Sequence, residues 1–175
     1  MQREIRAFGD PVLTQRCAPA GRADNRIRQI LDDLRSTVKS VEGAGLAAPQ
    51  IGVPLRLCVV KIDGKYVDLV DPVIVDTEGP FITDYESCLS NPGWWGEVTR
   101  PRKVWVRSRD RFNKANNFSV AGFAARCIQH EVDHLDGVLF TDHVVGELIS
   151  TEQLAAVTQA RAKALVEEPD LAQVS

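Results

Sequence analysis

The sequence QHEVDH at residues 129–134 decides how this 175-residue chain is interpreted. It contains H-E-x-x-H, with a glutamate beside the first of two histidines four residues apart. On an α-helix each residue advances by about 100°, so His130 and His134 lie about 40° apart on one face. Glu131 lies at the edge of that face, within reach of a water held by a metal between the imidazoles. The pattern therefore indicates metal-assisted hydrolysis, although such a pair also occurs by chance on solvated helices.

A third metal ligand would support this interpretation, and the residues alone leave several candidates. Catalytic H-E-x-x-H sites use a carboxylate, a histidine or a thiolate in that position. Cys88 lies in the polar, turn-rich segment ESCLSNPG at residues 86–93, which is an unusual place for a packing cysteine. Cys17, Cys127 and His143 remain alternatives, whereas Cys58 lies in an apolar stretch and is expected to pack.

Composition excludes several classes of protein. A hydrophobic content of 44% fits a globular domain, and a net charge of −3 gives no basic surface for nucleic acid. No apolar run approaches the ~20 residues that span a membrane, and the N-terminus has no apolar signal core. The four cysteines form no Cys-x-x-Cys pair, so we expect reduced thiols and a cytoplasmic location.

Periodicity and turn residues predict an α+β domain. A first helix is predicted over residues 24–41, ended by the glycines at 43–45. Strands are predicted over 55–62 and 66–76, joined at Asp63-Gly64, and a short strand at 104–106 is followed by a polar turn at 113–117. A second helix is predicted over 120–136, ended by Gly137, and a last helix follows a capping box at Ser150 and Gln153.

Three segments, in this order, resemble peptide deformylase. They are GAGLAAPQ at residues 43–50, ESCLS at 86–90 and QHEVDHLDG at 129–137, and the likeness extends over residues 4–145. The resemblance implies an α+β fold with mixed and antiparallel β-sheets around a central metal-binding helix, flanked by an N-terminal and a C-terminal helix. Residues 1–145 would form the deformylase-like domain, and residues 146–175 a C-terminal helical tail of the same domain.

The resemblance also implies the residues of the site. The metal ligands would be Cys88, His130 and His134, and the catalytic residues would be Glu131, Gln50 and Leu89. The substrate-binding residues would be Gly43, Ala44, Gly45, Ser87, Phe123 and Cys127. Glu86 and Arg100 would give structural support. One divalent metal ion is implied, commonly Fe²⁺ in this family, with Zn²⁺, Ni²⁺ or Co²⁺ able to replace it. Metal-bound hydroxide would attack the formyl carbon, with Glu131 as general base, and the Gln50 amide and Leu89 N–H would stabilise the oxyanion.

The implied substrates are the N-formylmethionyl peptides of newly made proteins, which places the chain in protein biosynthesis and N-terminal methionine processing. In some relatives a basic C-terminal helix contacts the ribosome. Residues 147–175 of this chain carry Arg161 and Lys163 against five acidic residues, so the tail predicts weak ribosome docking. The acidic residues of this tail are Glu147, Glu152, Glu167, Glu168 and Asp170.

Departures from the family pattern leave other functions open. Ser87 stands where glycine is usual, and Asn91, Ala44 and Phe123 differ in size or polarity from the common residues. These changes raise the alternative of an accessory or inhibitor-tolerant deformylase acting on a specialised formylated or acylated substrate. A metal-holding protein without turnover and a metallopeptidase are further alternatives, but the intact Glu131 argues against the first and the cysteine segment against the second.

Overall fold

The computed structural model describes residues 1–167, and side chains as far as residue 161. Its α-helices are α1 (Asn25–Ser40), α2 (Gly122–Asp136) and α3 (Thr151–Glu167). Its strands are β1 (Gly45–Ala47), β2 (Leu57–Ile62), β3 (Lys65–Cys88), β4 (Asn91–Arg109), β5 (Ala115–Ala121) and β6 (Ile149–Ser150). Short 3₁₀ turns occupy Pro11–Leu13, Ala48–Ile51 and Phe140–His143. No helix within this range is both long and apolar enough to cross a membrane.

The strands form one antiparallel sheet in the order β1-β2-β3-β4-β5, with β6 added to β4. Asp63 and Gly64 join β2 to β3 as predicted. The predicted strands at 66–76 and 104–106 are fragments of a much longer β3–β4 hairpin. The predicted turn at 113–117 is also too long, because β5 begins at Ala115 and pairs with β4 from there.

Helix α1 packs on the sheet through one apolar face. Asp24 caps it by accepting a hydrogen bond from the Ile27 N–H at 2.9 Å. The predicted glycine stop is wrong, since the helix ends at Ser40 and Glu42 takes the left-handed conformation with φ of 53°. The cluster formed with the sheet includes Leu31, Leu34, Val38, Leu46, Leu57, Val59 and Val70.

Helix α2 is the central helix, and it packs against β1, β2 and β4. It begins at Gly122 rather than at Val120, because Val120 still belongs to β5. Gly137 ends it with φ of 75°, and a Cβ there would lie 2.8 Å from the backbone of Gln15. The second core cluster lies under this helix and includes Cys58, Leu69, Val104, Val106, Ala125, Ile128 and Leu135. The predicted α+β fold around a central helix is confirmed.

Candidate active site

Cys88, His130 and His134 come together where the end of β3 meets α2. One potential ligand atom from each residue lies within 4.8 Å of those from the other two, so the three could hold a metal ion. The Cys88 sulfur is 3.2 Å from His134 Nε2, and all three residues are largely buried. The ring of Phe140 stacks on His130 and forms part of an apolar layer behind the group.

The donor set suits a late first-row divalent cation. A thiolate and two imidazoles are ligands that zinc and its neighbours accept in tetrahedral sites with one open position. Burial, followed by the charge of His130, lowers the pKa of His134 well below its usual range, which keeps that imidazole neutral for coordination. Burial opposes protonation of His130 too, but hydrogen bonds to Cys88 and Glu86 raise its pKa to about 10. A bound metal would displace that proton.

Glu86 orients His130 from behind the site. Its Oε2 lies 3.2 Å from His130 Nδ1, which leaves Nε2 of the ring free for a metal. Arg100 donates two hydrogen bonds to the same carboxylate, of 2.6 and 3.0 Å, and Arg126 donates a third of 2.7 Å. Burial disfavours the Glu86 carboxylate, but the hydrogen bonds from His130 and Arg100 outweigh it and lower its pKa to about 2.

Glu131 lies beside the metal-ligating group with one free oxygen. Its Oε2 is buried and has no hydrogen-bond partner among the described residues. Burial raises the pKa of Glu131 to about 7, against the attraction of His130. The carboxylate lies so close to Gly45 that a Cβ at that position would overlap Oε1. A carboxylate in this condition can accept and return a proton near neutral pH.

Gln50 and Leu89, the other two residues predicted to be catalytic, also line the site. Gln50 lies in the 3₁₀ turn after β1, where its Oε1 accepts the Ala47 N–H at 2.9 Å. That bond directs Nε2 toward Cys88, whose sulfur it approaches to 3.5 Å. Gln50 is only 2% exposed, so it is not a surface loop residue. Leu89 is in the two-residue turn between β3 and β4, directly after Cys88.

A cleft of about 500 Å³ opens over these residues. One wall is formed by β1, which is the edge strand of the sheet, and the other by the β3–β4 turn. Phe123 is 71% exposed at the cleft, whereas Cys127 also belongs to the core under α2. The predicted substrate-binding residues Gly43, Ala44, Gly45, Ser87, Phe123 and Cys127 all line this cleft.

Ser87 lies in β3 opposite Trp95, and its φ is not positive. The left-handed conformation that would require glycine is therefore not needed at this position. Asn113, in the turn before β5, does adopt that conformation, with φ of 66°. Asparagine tolerates it better than most residues.

The other candidate ligands lie outside the group. His143 pairs instead with Asp133 at 3.2 Å. Asp133 itself accepts a hydrogen bond from Arg100 at 2.8 Å, and Arg100 in turn contacts Glu86, which contacts His130. Cys17 and Cys58 are buried in the core, and burial raises the pKa of both thiols.

Sequence reasoning missed several residues that line the cleft. Arg126 ties α2 to the hairpin by donating to Glu86 and to the carbonyls of Ile82 and Val98. Its spacing of four residues before His130 puts it on the same helix face, which is the signal that could have identified it. Trp95 and Thr151 are brought to the cleft only by pairing between distant strands, and no local pattern indicates it.

Comparison with known proteins agrees with this geometry. The family model described as polypeptide deformylase matches residues 2–148. The peptide deformylase of Caldicellulosiruptor bescii is 42% identical over 152 residues, covering 87% of this chain and 90% of that protein. The crystal structure of peptide deformylase from Thermotoga maritima has a TM-score of 0.81 at 32% identity, covering 83% of this chain and 99% of that one.

A third protein was solved with a peptide in place. The class I type b peptide deformylase from Acinetobacter baumannii, bound to Met-Ala-Ser, has a TM-score of 0.79 at 28% identity. It covers 82% of this chain and 99% of its own. Because the family model spans most of the chain and close relatives agree over nearly their full length, this chain belongs to the polypeptide deformylase family.

Proposed function

We propose that this enzyme is a metal-dependent hydrolase that removes the N-formyl group from N-formylmethionyl peptides of newly made proteins. The observation that carries the proposal is the meeting of a Cys/His/His group with an unpaired, buried glutamate in one cleft. A structural metal site needs ligands but no base, so the placement of Glu131 favours turnover.

Cys88, His130 and His134 would hold one divalent cation, with Glu86 fixing the ring of His130. When bound, the cation supplies a Lewis acid that polarises the formyl oxygen and makes a coordinated water acidic. Fe²⁺ is the metal we propose in the cell, with Zn²⁺, Ni²⁺ or Co²⁺ as replacements, because this donor set accepts each of them.

Glu131 is proposed to act as general base and then as general acid. It accepts a proton from the attacking water, whose oxygen adds to the formyl carbon. The carbon–nitrogen bond of the formamide then breaks, and Glu131 delivers the proton to the departing amine. The products are formate and a peptide with a free N-terminal methionine.

Gln50 and Leu89 are proposed to stabilise the oxyanion that forms during attack. The Gln50 side-chain amide is already oriented by its bond from Ala47, so little reorganisation is required. The peptide itself would lie along β1, whose free edge borders the cleft, as an added strand. Gly43, Ala44 and Gly45 would contact its backbone, and Ser87, Phe123 and Cys127 its side chains.

The accessory or inhibitor-tolerant alternative has lost part of its motivation. It rested on Ser87, Asn91 and Ala44, and Ser87 lies in an ordinary strand conformation without strain. The Met-Ala-Ser peptide in the Acinetobacter baumannii enzyme supports the peptide substrate class instead.

For this chain we propose a cytoplasmic location and weak contact with the ribosome. Arg161, one of the two basic residues of the tail, is already paired with Glu97 at 2.7 Å. The acidic residues Glu168 and Asp170 lie outside the described residues. The division into residues 1–145 and a tail at 146–175 of the same domain stays a prediction.

The test is formate release from formyl-Met-Ala-Ser by protein purified anaerobically with Fe²⁺ or Ni²⁺. Its matched control is Glu131→Ala, which should retain the metal because it removes no ligand. Rapid release by the wild type and its loss in the variant would support the proposed reaction. No release by a wild-type protein with full metal occupancy would reject it.

A further inference from the structure

The segment after residue 148, where the match to the family model ends, packs beside the cleft. Strand β6 pairs with β4 at Trp94–Ser150 and Trp95–Ile149. The approach is close because residue 96 is glycine, where a Cβ would overlap the side chain of Val144. Val144 and strand β6 therefore pack closely against β4 beside Trp95.

Thr151 connects this segment to Trp95. The indole Nε1 of Trp95 lies 3.1 Å from Thr151 Oγ1, and the same hydroxyl lies 3.3 Å from the carbonyl oxygen of Gly93. One hydroxyl satisfies both contacts, because it accepts from the indole and donates to the carbonyl. Trp95 and Thr151 both line the 500 Å³ cleft.

Arg161 makes a second connection further along α3. Its guanidinium lies 5.4 Å from the centre of the Tyr85 ring and pairs with Glu97, the residue opposite Tyr85 in the β3–β4 ladder. Tyr85 also lines the cleft. The C-terminal helix therefore contacts two aromatic residues of the cleft wall.

These aromatic residues are placed beside the metal-ligating group rather than within it. Tyr85 and Ser87 are partly exposed, whereas Glu86 and Cys88, which lie between and after them along β3, are buried. Trp95 is paired directly with Ser87. An extended peptide advances about 3.4 Å per residue, so the residues after the formylated one run along the cleft wall, away from the reacting carbon.

We propose that β6 and α3, as far as Arg161, form part of the peptide-binding site. Thr151 is a positioning residue that holds Trp95, and Arg161 holds Tyr85, so that the two rings contact the substrate beyond its second residue. This inference rests on the proposed deformylase function. It makes the C-terminal segment a determinant of how strongly the enzyme prefers longer formyl peptides.

The test uses full-length, metal-loaded Thr151→Val, which keeps the shape of the side chain and removes the hydroxyl. Its KM should rise about three- to tenfold for formyl-Met-Ala-Ser and a formylated tetrapeptide. The KM for formyl-Met-Ala and the kcat for all three substrates should stay within twofold of wild type. Thr151→Ser should restore the wild-type KM, because it returns the hydroxyl.

Thr158→Val is the matched control, since its hydroxyl donates to the Leu154 carbonyl within α3. This variant should leave KM and kcat unchanged for all three substrates. Trp95 emission, recorded in a Trp94→Phe and Trp105→Phe background, should shift in Thr151→Val and not in Thr158→Val.

Three results would overturn the inference. One is an equal rise in KM for the dipeptide and the longer peptides, and another is a fall in kcat for all of them. The third is a shift of Trp95 emission with unchanged KM values. A wild-type protein that releases no formate would instead reject the proposed function, and the inference with it.

Discussion

His130 Nδ1 lies 3.2 Å from Oε2 of Glu86, and this contact fixes the ring of a candidate metal ligand. Glu86 is only 5% exposed and is held by Arg100 of β4 and Arg126 of α2. One carboxylate thus joins three elements of the fold to the candidate metal centre. Its removal should affect metal binding and stability together.

Glu86→Gln should weaken metal binding about 10- to 100-fold. The amide cannot carry the charge that orients and polarises His130, although it has nearly the same shape. The dissociation constant for Zn²⁺ or Ni²⁺ can be measured by competition with a chelating dye. Glu78→Gln is the control, because that glutamate pairs with Lys103 on an exposed part of the β3–β4 hairpin. Equal metal affinities for the two variants would contradict the role of Glu86.

The same residue predicts an acid-sensitive stability of the metal-free protein. The pKa of Glu86 falls from 4.5 to about 2 on folding, a shift that corresponds to about 3 kcal/mol. A lowered carboxyl pKa stabilises the fold above the unfolded pKa, and the contribution is lost as the pH falls from about 4.5 to about 2. Urea unfolding of wild type and Glu86→Gln should therefore differ most above pH 5.

The measurement needs chelator-treated protein, because a bound cation changes the charge of the group. The difference in unfolding free energy between the two proteins should shrink steadily between pH 4.5 and 2. A difference that stays constant over this range would show that Glu86 is not the titrating group.

The elements with strong local signals are predictable from the sequence. Helix α1 has a capping aspartate and an apolar face, and α2 ends at a glycine in the left-handed conformation. The capping box of α3 also forms, with Ser150 and Gln153 bonded in both directions. Each of these features depends on residues within one or two turns of one another, so the sequence displays them directly.

The long hairpin is not predictable in the same way. The β3 residues around Glu78 and Phe81 are exposed on both faces and show no alternation, so only their pairing with β4 makes them strand. The polar start of β5 at Asn116 and Asn117 resembles a turn for the same reason. The metal-ligating group was suggested by family motifs, whereas Trp95 and Thr151 reach the cleft through a long-range pairing that no motif marks.

Gly45→Ala should lower kcat/KM for formyl-Met-Ala-Ser about 100-fold with little change in metal content. A methyl group there overlaps the carboxylate of Glu131, which must move away, and a displacement of about 1 Å at a catalytic group costs on that order. The control is a double-mutant cycle with Glu131→Ala. If Gly45 acts through Glu131, adding Gly45→Ala to that variant should reduce the rate no further. A full additional loss would mean that Gly45 acts independently, through the peptide backbone.

Ser87→Gly should leave the turnover of formyl-Met-Ala-Ser within twofold of wild type. The serine lies in a strand with a negative φ, so the glycine common in the family relieves no strain here. Glycine should instead destabilise the strand by about 0.5–1 kcal/mol through its greater freedom in the unfolded chain, a loss that urea unfolding can detect. A large gain in kcat/KM on this substitution would reverse the argument, because it would mean that Ser87 restricts the cleft and that the wild-type enzyme is adapted to another formylated substrate.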